Sequence, residues 1–198
     1  GLDATHTQAA SQSSRMGEPL WVLSPSTLQP LATRLEWLWG GAAEPRLQLL
    51  GAFCGSFGVS VCMLFLWRIV LTPAIPAYQR RSYSDKVFMN NSFVSMWPAL
   101  TAPILAAKAA WQLPWNDLSR LMVAPADDYA LRAVGLSCGY MLYDTFYCLW
   151  YRDMRSPLII GHHILPVVFW PYCALQGRAV AIVLFFILTE VIQHAIPA

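Results

Sequence analysis

The stretch "LQLLGAFCGSFGVSVCMLFLW", residues 47–67, decides the fold class of this chain. It runs for 21 residues without a charged side chain, and Arg46 and Arg68 bracket it. About 20 consecutive apolar residues form a helix long enough to cross the hydrocarbon core of a bilayer. The stretch therefore predicts a transmembrane helix, and a repeat of glycines near one of its faces predicts close contact with a second helix. These glycines are Gly51, Gly55 and Gly58.

The composition of the whole chain agrees with a membrane protein. Of its 198 residues, 57% are hydrophobic and only 12% are charged, about half the charged fraction of a soluble domain. The net charge is +2, and there is no basic stripe, so no nucleic acid partner is predicted. The five cysteines form no CxxC pair, which favours neither a disulfide framework nor a zinc site. No cofactor is predicted.

Four further apolar segments follow the first one, and short turns separate the last three of them. They are residues 87–107, 133–151, 158–175 and 179–198. With no strand-like alternation and no internal repeat, these segments predict an all-α fold. The expected architecture is a polytopic transmembrane bundle of about five spans over residues 46–198.

The first 45 residues have a different character. Residues 1–27 are polar, and we expect them to form a mostly extended or disordered arm. In residues 28–40, "LQPLATRLEWLWG", apolar side chains fall near one helical face, whereas Arg34 and Glu36 lie off it. A helix of this kind, bearing Trp, is typical of the membrane interface. Residues 1–45 are therefore predicted to be a polar arm followed by an interfacial amphipathic helix.

Ionisable residues inside apolar segments indicate function, because hydrocarbon penalises charge. Asp144 lies eight residues before Arg152, and His162 and His163 lie seven and eight residues after Arg155. At the helical rise these positions are about 11–12 Å inside the same membrane face. Glu190 lies twelve residues after Arg178 on the opposite side, about 18 Å inside that face. All three sites fall in one layer of a bilayer, so the histidines are predicted to pair with Asp144, with Glu190 or with both.

Adjacent residues on a helix point about 100° apart, so only one of His162 and His163 can face that cluster. This makes a metal site the less natural interpretation, although Glu190 and His194 have the i, i+4 spacing of helical metal ligands. A structural hydrogen-bonded cluster and a reactive or substrate-binding centre both remain open.

Three motifs in this region resemble the TLC domain, named for the TRAM, LAG1 and CLN8 proteins. They are "GYMLYDTFYCLW", "GHHILPVVF" and "LTEVIQ", and they agree with the family in order and spacing over about residues 85–198. The resemblance implies a multi-span helical protein of the endoplasmic reticulum. It also matches Asp144, His162, His163 and Glu190 to the family's acidic and His-His positions.

The family includes ceramide synthases, which join an acyl group from acyl-CoA to a sphingoid amine, and proteins that bind or sense lipids. Two departures separate this sequence from the synthases. Their span after the His pair has two acidic residues, roughly "HDxxD", whereas this chain has only Glu190 in "TEVIQH". The final spans of the domain also have no counterpart here, which predicts a truncated or repurposed copy.

Two functions follow, and they leave open whether the protein is an enzyme. In the first, the bundle binds or modifies an acyl-chain lipid by sphingolipid-type acyl transfer or lipid sensing. Asp144 then orients one of His162 and His163 as base or acyl acceptor, with membrane lipids as partners. The residues predicted to bind substrate are Glu190, Tyr140 and His194.

In the second function, the chain is a non-enzymatic accessory subunit of a respiratory or photosynthetic complex. Its partners are other membrane subunits, its location is the inner membrane of a mitochondrion or plastid, and its polar cluster fixes helix register. A channel or transporter role is weaker, because no polar stripe crosses the bilayer.

Overall fold

The computed structural model describes the backbone of residues 25–195 and the side chains of residues 26–190. Helices are the only regular secondary structure in that part of the chain, which confirms the predicted all-α fold. A π-helical turn, Leu66–Leu71, directly follows the helix Ala43–Phe65, and 3₁₀ turns occupy Thr72–Ala74 and Arg152–Met154. The helices are α1 (Pro25–Arg34), α2 (Glu36–Trp39), α3 (Ala43–Phe65), α4 (Pro76–Gln79), α5 (Tyr83–Trp111), α6 (Leu118–Met122), α7 (Asp128–Trp150), α8 (Pro157–Gln176) and α9 (Val180–Ala195).

Three helical segments in the described part of the chain are long and apolar enough to cross a membrane. They are Ala43–Ala74, Tyr83–Trp111 and Pro157–Gln176. The predicted bundle of about five spans additionally needs α7 and α9, which fall short of those criteria in the described residues. Five spans therefore stays a prediction.

Helix α7 lies at the centre of the bundle, packed against α3, α5 and α8. Its residues Ala133, Val134, Leu136 and Cys138 are fully buried. The polar residues that lower its hydropathy include Asp144, which is also buried. A helix surrounded by protein does not need an apolar surface, because lipid does not reach its polar groups.

Glycines of α7 bring it into close contact with α3. A Cβ atom on Gly135 would lie 2.6 Å from the carbonyl oxygen of Leu49, and one on Gly139 would overlap the carbonyl oxygen of Phe53. The Ser56 hydroxyl donates a hydrogen bond across this interface to the carbonyl oxygen of Leu136 (2.6 Å). Two helix backbones can approach this closely only where side chains are small or absent.

The glycine repeat of α3 is only partly buried. Gly51 and Gly55 are buried, but a Cβ atom on Gly58 would meet nothing within 4 Å. The prediction was wrong for Gly58, because the spacing of glycines along a helix does not fix where its packed face ends.

The amphipathic segment 28–40 forms two short helices, α1 and α2, which meet at Leu35. Leu28, Ala32 and Trp39 are buried against the bundle, and the Gln176 side chain donates a hydrogen bond to the carbonyl oxygen of Trp39 (3.2 Å). The position of this segment at a membrane surface stays a prediction. Residues 1–24 of the expected polar arm lie outside the described residues, whereas residues 25–27 are not extended but form the first turn of α1.

Aspartates begin the two helices after α5. Asp117 caps α6 by accepting hydrogen bonds from the amides of Ser119 and Arg120, and Asp127 caps α7 by accepting one from the amide of Ala130. A hydrogen bond from the Ser119 side chain, followed by that from the Arg120 amide, lowers the pKa of Asp117. These caps define where α6 begins within the connection after α5, and where α7 begins at the end of that connection.

Candidate functional site

The carboxylate of Asp144 joins three helices. It projects from α7 with only 5% of its surface exposed. One oxygen, Oδ2, lies 3.2 Å from Nδ1 of His163 on α8, and the other, Oδ1, accepts a hydrogen bond from the side-chain amide of Asn91 on α5 (2.6 Å). The contact predicted between Asp144 and one of the two histidines is therefore present.

The two histidines have different surroundings. The side chain of His163 is 13% exposed, whereas His162 is exposed. Their ring centroids are 5.5 Å apart, and the ring planes are inclined by 53°. Only His163 turns toward the carboxylate, as the helical spacing of adjacent residues requires.

The pairing of His163 with Asp144 has a chemical consequence. A carboxylate beside Nδ1 favours the tautomer that carries its hydrogen there, which makes Nε2 the basic ring nitrogen. The same carboxylate stabilises the imidazolium that forms when Nε2 takes a proton. The pair can therefore act in general acid–base catalysis or bind a polar ligand.

Asn91 is a site residue to which the sequence analysis assigned no role. It is 8% exposed, and its amide donates to the carboxylate oxygen that does not face His163. Its depth follows only from the observed start of α5, because Asn91 lies eight residues after Tyr83, where that helix begins. That places it about 12 Å along α5, in the layer of Asp144.

The neighbouring Asn90 belongs to a different cluster. Its side-chain oxygen accepts hydrogen bonds from the indole of Trp67 (2.8 Å) and the hydroxyl of Tyr78 (2.7 Å). These contacts tie the π-helical turn after α3 to the start of α5. The two adjacent asparagines thus serve separate parts of the bundle.

Glu190 and Tyr140, two of the residues predicted to bind substrate, line one small cavity between α5, α7 and α9. The cavity has a volume of about 20 Å³ and also includes Ser95 and Ser137. The Ser95 hydroxyl donates a hydrogen bond to the carbonyl oxygen of Ser92 on its own helix (2.8 Å). A cavity of this size accommodates about one water molecule.

The side chain of His194, the third of those residues, lies outside the described residues. Among the side chains of residues 26–190, no three His, Cys, Asp or Glu groups lie close enough together to hold a metal ion.

Comparison with protein families gives one match. The TLC domain, described as TRAM_LAG1_CLN8, matches residues 89–196, which is more than half of the chain. The matched region contains Asn91, Asp144, both histidines and Glu190. Comparison with curated proteins and with solved structures gives no significant match.

Proposed function

The chain belongs to the TLC-domain family, and from that membership we propose that it binds or modifies an acyl-chain lipid at the Asp144–His163 pair. The family and the apolar helices make it an integral membrane protein. The endoplasmic reticulum is the proposed location, as the family resemblance implies.

The observation that carries this proposal is the position of His163. Much of the surface of α8 is exposed, including Leu158, Leu165 and Phe169, and exposed apolar side chains of a membrane helix face lipid. From this helix His163 reaches the buried carboxylate of Asp144, while His162 beside it stays exposed. A reactive pair is thereby held at the boundary between the protein core and the bilayer, where an acyl chain can approach from the side.

The geometry fits acyl transfer from a thioester to a lipid amine. Nε2 of His163 takes the proton of the amine while the amine nitrogen forms a bond to the acyl carbon. The carbon–sulfur bond then breaks, and the thiolate leaves with that proton. Asp144 stabilises the intermediate imidazolium, a contribution of the kind that gives about 10²–10⁴-fold in rate. In a variant of this scheme, the histidine itself accepts the acyl group.

Glu190, Tyr140 and His194 are proposed to bind the polar end of the lipid. Because the cavity beside Glu190 and Tyr140 holds only about one water molecule, α5, α7 and α9 must move apart there to admit it. Glu190 and Tyr140 supply oxygens that accept or donate hydrogen bonds, and the spacing of His194 from Glu190 places it one helical turn further along α9. Because the synthase pattern of two acidic residues is incomplete, binding without catalysis is part of the same proposal.

Replacing each histidine separately tests this proposal. His163→Ala should abolish acyl transfer from palmitoyl-CoA to sphinganine, or the retention of acyl lipid, in the full chain reconstituted in nanodiscs. His162→Ala, the matched control on the exposed neighbour, should keep most of either signal. Mass spectrometry of product and bound lipid measures both, and thermal melting shows that the variants are folded.

The accessory-subunit function predicts a different result. His163→Ala would then lower the melting temperature or release the chain from co-purifying subunits, and no preparation would contain bound acyl lipid. That outcome would overturn the proposed lipid function.

A further inference from the structure

A second and larger cavity lies at the opposite end of the bundle from the Asp144–His163 pair. It has a volume of about 410 Å³ and lies where the end of α5 and the α6 region meet the starts of α7 and α9. Ala130 in its wall is 14 residues before Asp144 on the same helix, which separates the two sites by about 21 Å. The cavity is therefore not part of the site described above.

The size and lining of this cavity suit a small amphiphilic ligand. Ligand-binding cavities usually have volumes of about 300–1,000 Å³ and a mainly apolar lining with a few polar groups. Here the apolar wall includes Leu113, Val123 and Leu184, and the charged groups are Arg120 and Asp127. One cation, one anion and the polar residue Gln112 thus accompany an otherwise apolar lining.

The two charged residues each retain capacity to bind a ligand. Arg120 contacts Asp117 through Nε (3.2 Å), and its side chain is 80% exposed, so four of the five N–H donors of the guanidinium are not used in that contact. Asp127 uses Oδ1 to cap α7, and its Oδ2 is buried and receives no hydrogen bond from the described residues. A buried acceptor without a hydrogen-bond donor costs free energy. Binding of a ligand whose N–H group reaches this oxygen is therefore favourable.

Aromatic side chains place this end of the bundle at a membrane surface. Trp111, at the end of α5, is 89% exposed, and Trp115 in the following loop is 59% exposed. Exposed Trp residues at helix ends are typical of the lipid headgroup region. An occupant of the cavity therefore has its charged group at headgroup level and its apolar part toward the bilayer.

We propose that this cavity binds a phospholipid whose headgroup carries a phosphate and a primary ammonium. The phosphate contacts Arg120, the ammonium donates to Asp127, and the glycerol and upper acyl chain fill the apolar space. This site does not depend on the proposed function at His163, since the residues of the two sites are separate.

Competition between headgroups tests the site. The full chain is reconstituted in phosphatidylcholine nanodiscs that contain equal amounts of phosphatidylethanolamine and phosphatidylglycerol, then extracted in detergent, and retained lipid is measured by native mass spectrometry. Phosphatidylethanolamine should be retained about tenfold over each of the other two lipids, since the choline ammonium has no N–H to donate. Soluble glycerophosphoethanolamine should compete only weakly, because it lacks the acyl chains.

Asp127→Asn is the most informative variant. Asn caps a helix as well as Asp does, so α7 keeps its first turn while the carboxylate is lost, and the preference for phosphatidylethanolamine should disappear. Asp128→Asn makes the same charge change at the next residue, which is exposed, and should leave the preference unchanged. Arg120→Gln should lower the retention of both phosphatidylethanolamine and phosphatidylglycerol.

Several outcomes would overturn this site. Equal retention of all three phospholipids would show that the cavity does not distinguish one headgroup from another. An unchanged preference in Asp127→Asn would remove the assigned ammonium contact. Loss of the preference in His163→Ala, with Asp127→Asn unaffected, would place the bound lipid at the other site.

Discussion

Helix α7 presents two contrasting faces to its neighbours. Toward α3 it presents Gly135 and Gly139, whose lack of side chains brings the two backbones together. Toward α5 and α8 it presents Asp144, whose carboxylate contacts Asn91 and His163. The face toward α3 is packed closely. The face toward α5 and α8 contains an ionisable group inside the bundle.

The comparison shows that one helix can contribute to the stability of the fold through one face and to a reactive site through another. Dense packing of small residues contributes dispersion contacts, and the Ser56 hydroxyl at this face is satisfied by the carbonyl oxygen of Leu136. A buried carboxylate is costly unless it is paired and hydrogen-bonded. Asp144 meets that condition through neighbours on two other helices, Asn91 on α5 and His163 on α8.

The largest expected loss of stability comes from the glycine face. Gly139→Leu should destabilise the fold by about 3 kcal/mol or more, because the new side chain would overlap the backbone of α3 at Phe53 and the helices must separate. Thermal melting of the detergent-solubilised chain measures the effect. Gly58→Leu is the matched control, since its Cβ meets nothing within 4 Å. Equal melting temperatures for the two variants would contradict the assigned role of the close contact.

A smaller loss is expected on the polar face. Asn91→Leu has a similar volume but removes the amide that donates to Asp144, which should cost about 1–3 kcal/mol because a buried charged acceptor loses a donor. The same melting experiment measures it, with Ser92→Leu at the exposed neighbouring position as the control. If Asn91→Leu melts at the wild-type temperature, the hydrogen bond does not hold the carboxylate in place.

Much of this arrangement is predictable from hydrophobicity and residue counting. The uncharged stretch 47–67 predicts a membrane helix, and α3 occupies it. Counting residues from Arg152 and Arg155 predicts the shared depth of Asp144 and His163, because the rise of a helix per residue is nearly constant. The helical angle between adjacent residues predicts that only one histidine turns inward.

The sequence does not predict how each helix is rotated about its own axis. That rotation is set by contacts between helices, and it decides that Gly139 lies against α3 whereas Gly58 faces open space. It likewise places Asn91 beside Asp144 and its neighbour Asn90 beside Trp67 and Tyr78. Depth alone could not distinguish these two asparagines, and composition alone could not show that α7 is central.

Asp144→Asn is the measurement that tests the role of the Asp144–His163 pair most directly. The substitution keeps the size of the side chain and removes the charge that stabilises a protonated His163. Acyl transfer or acyl-lipid retention should fall by about 100-fold, while the melting temperature changes by no more than about 5 °C. An unchanged lipid signal, or a loss of signal matched by unfolding, would contradict a functional pair and leave Asp144 as a structural contact between helices.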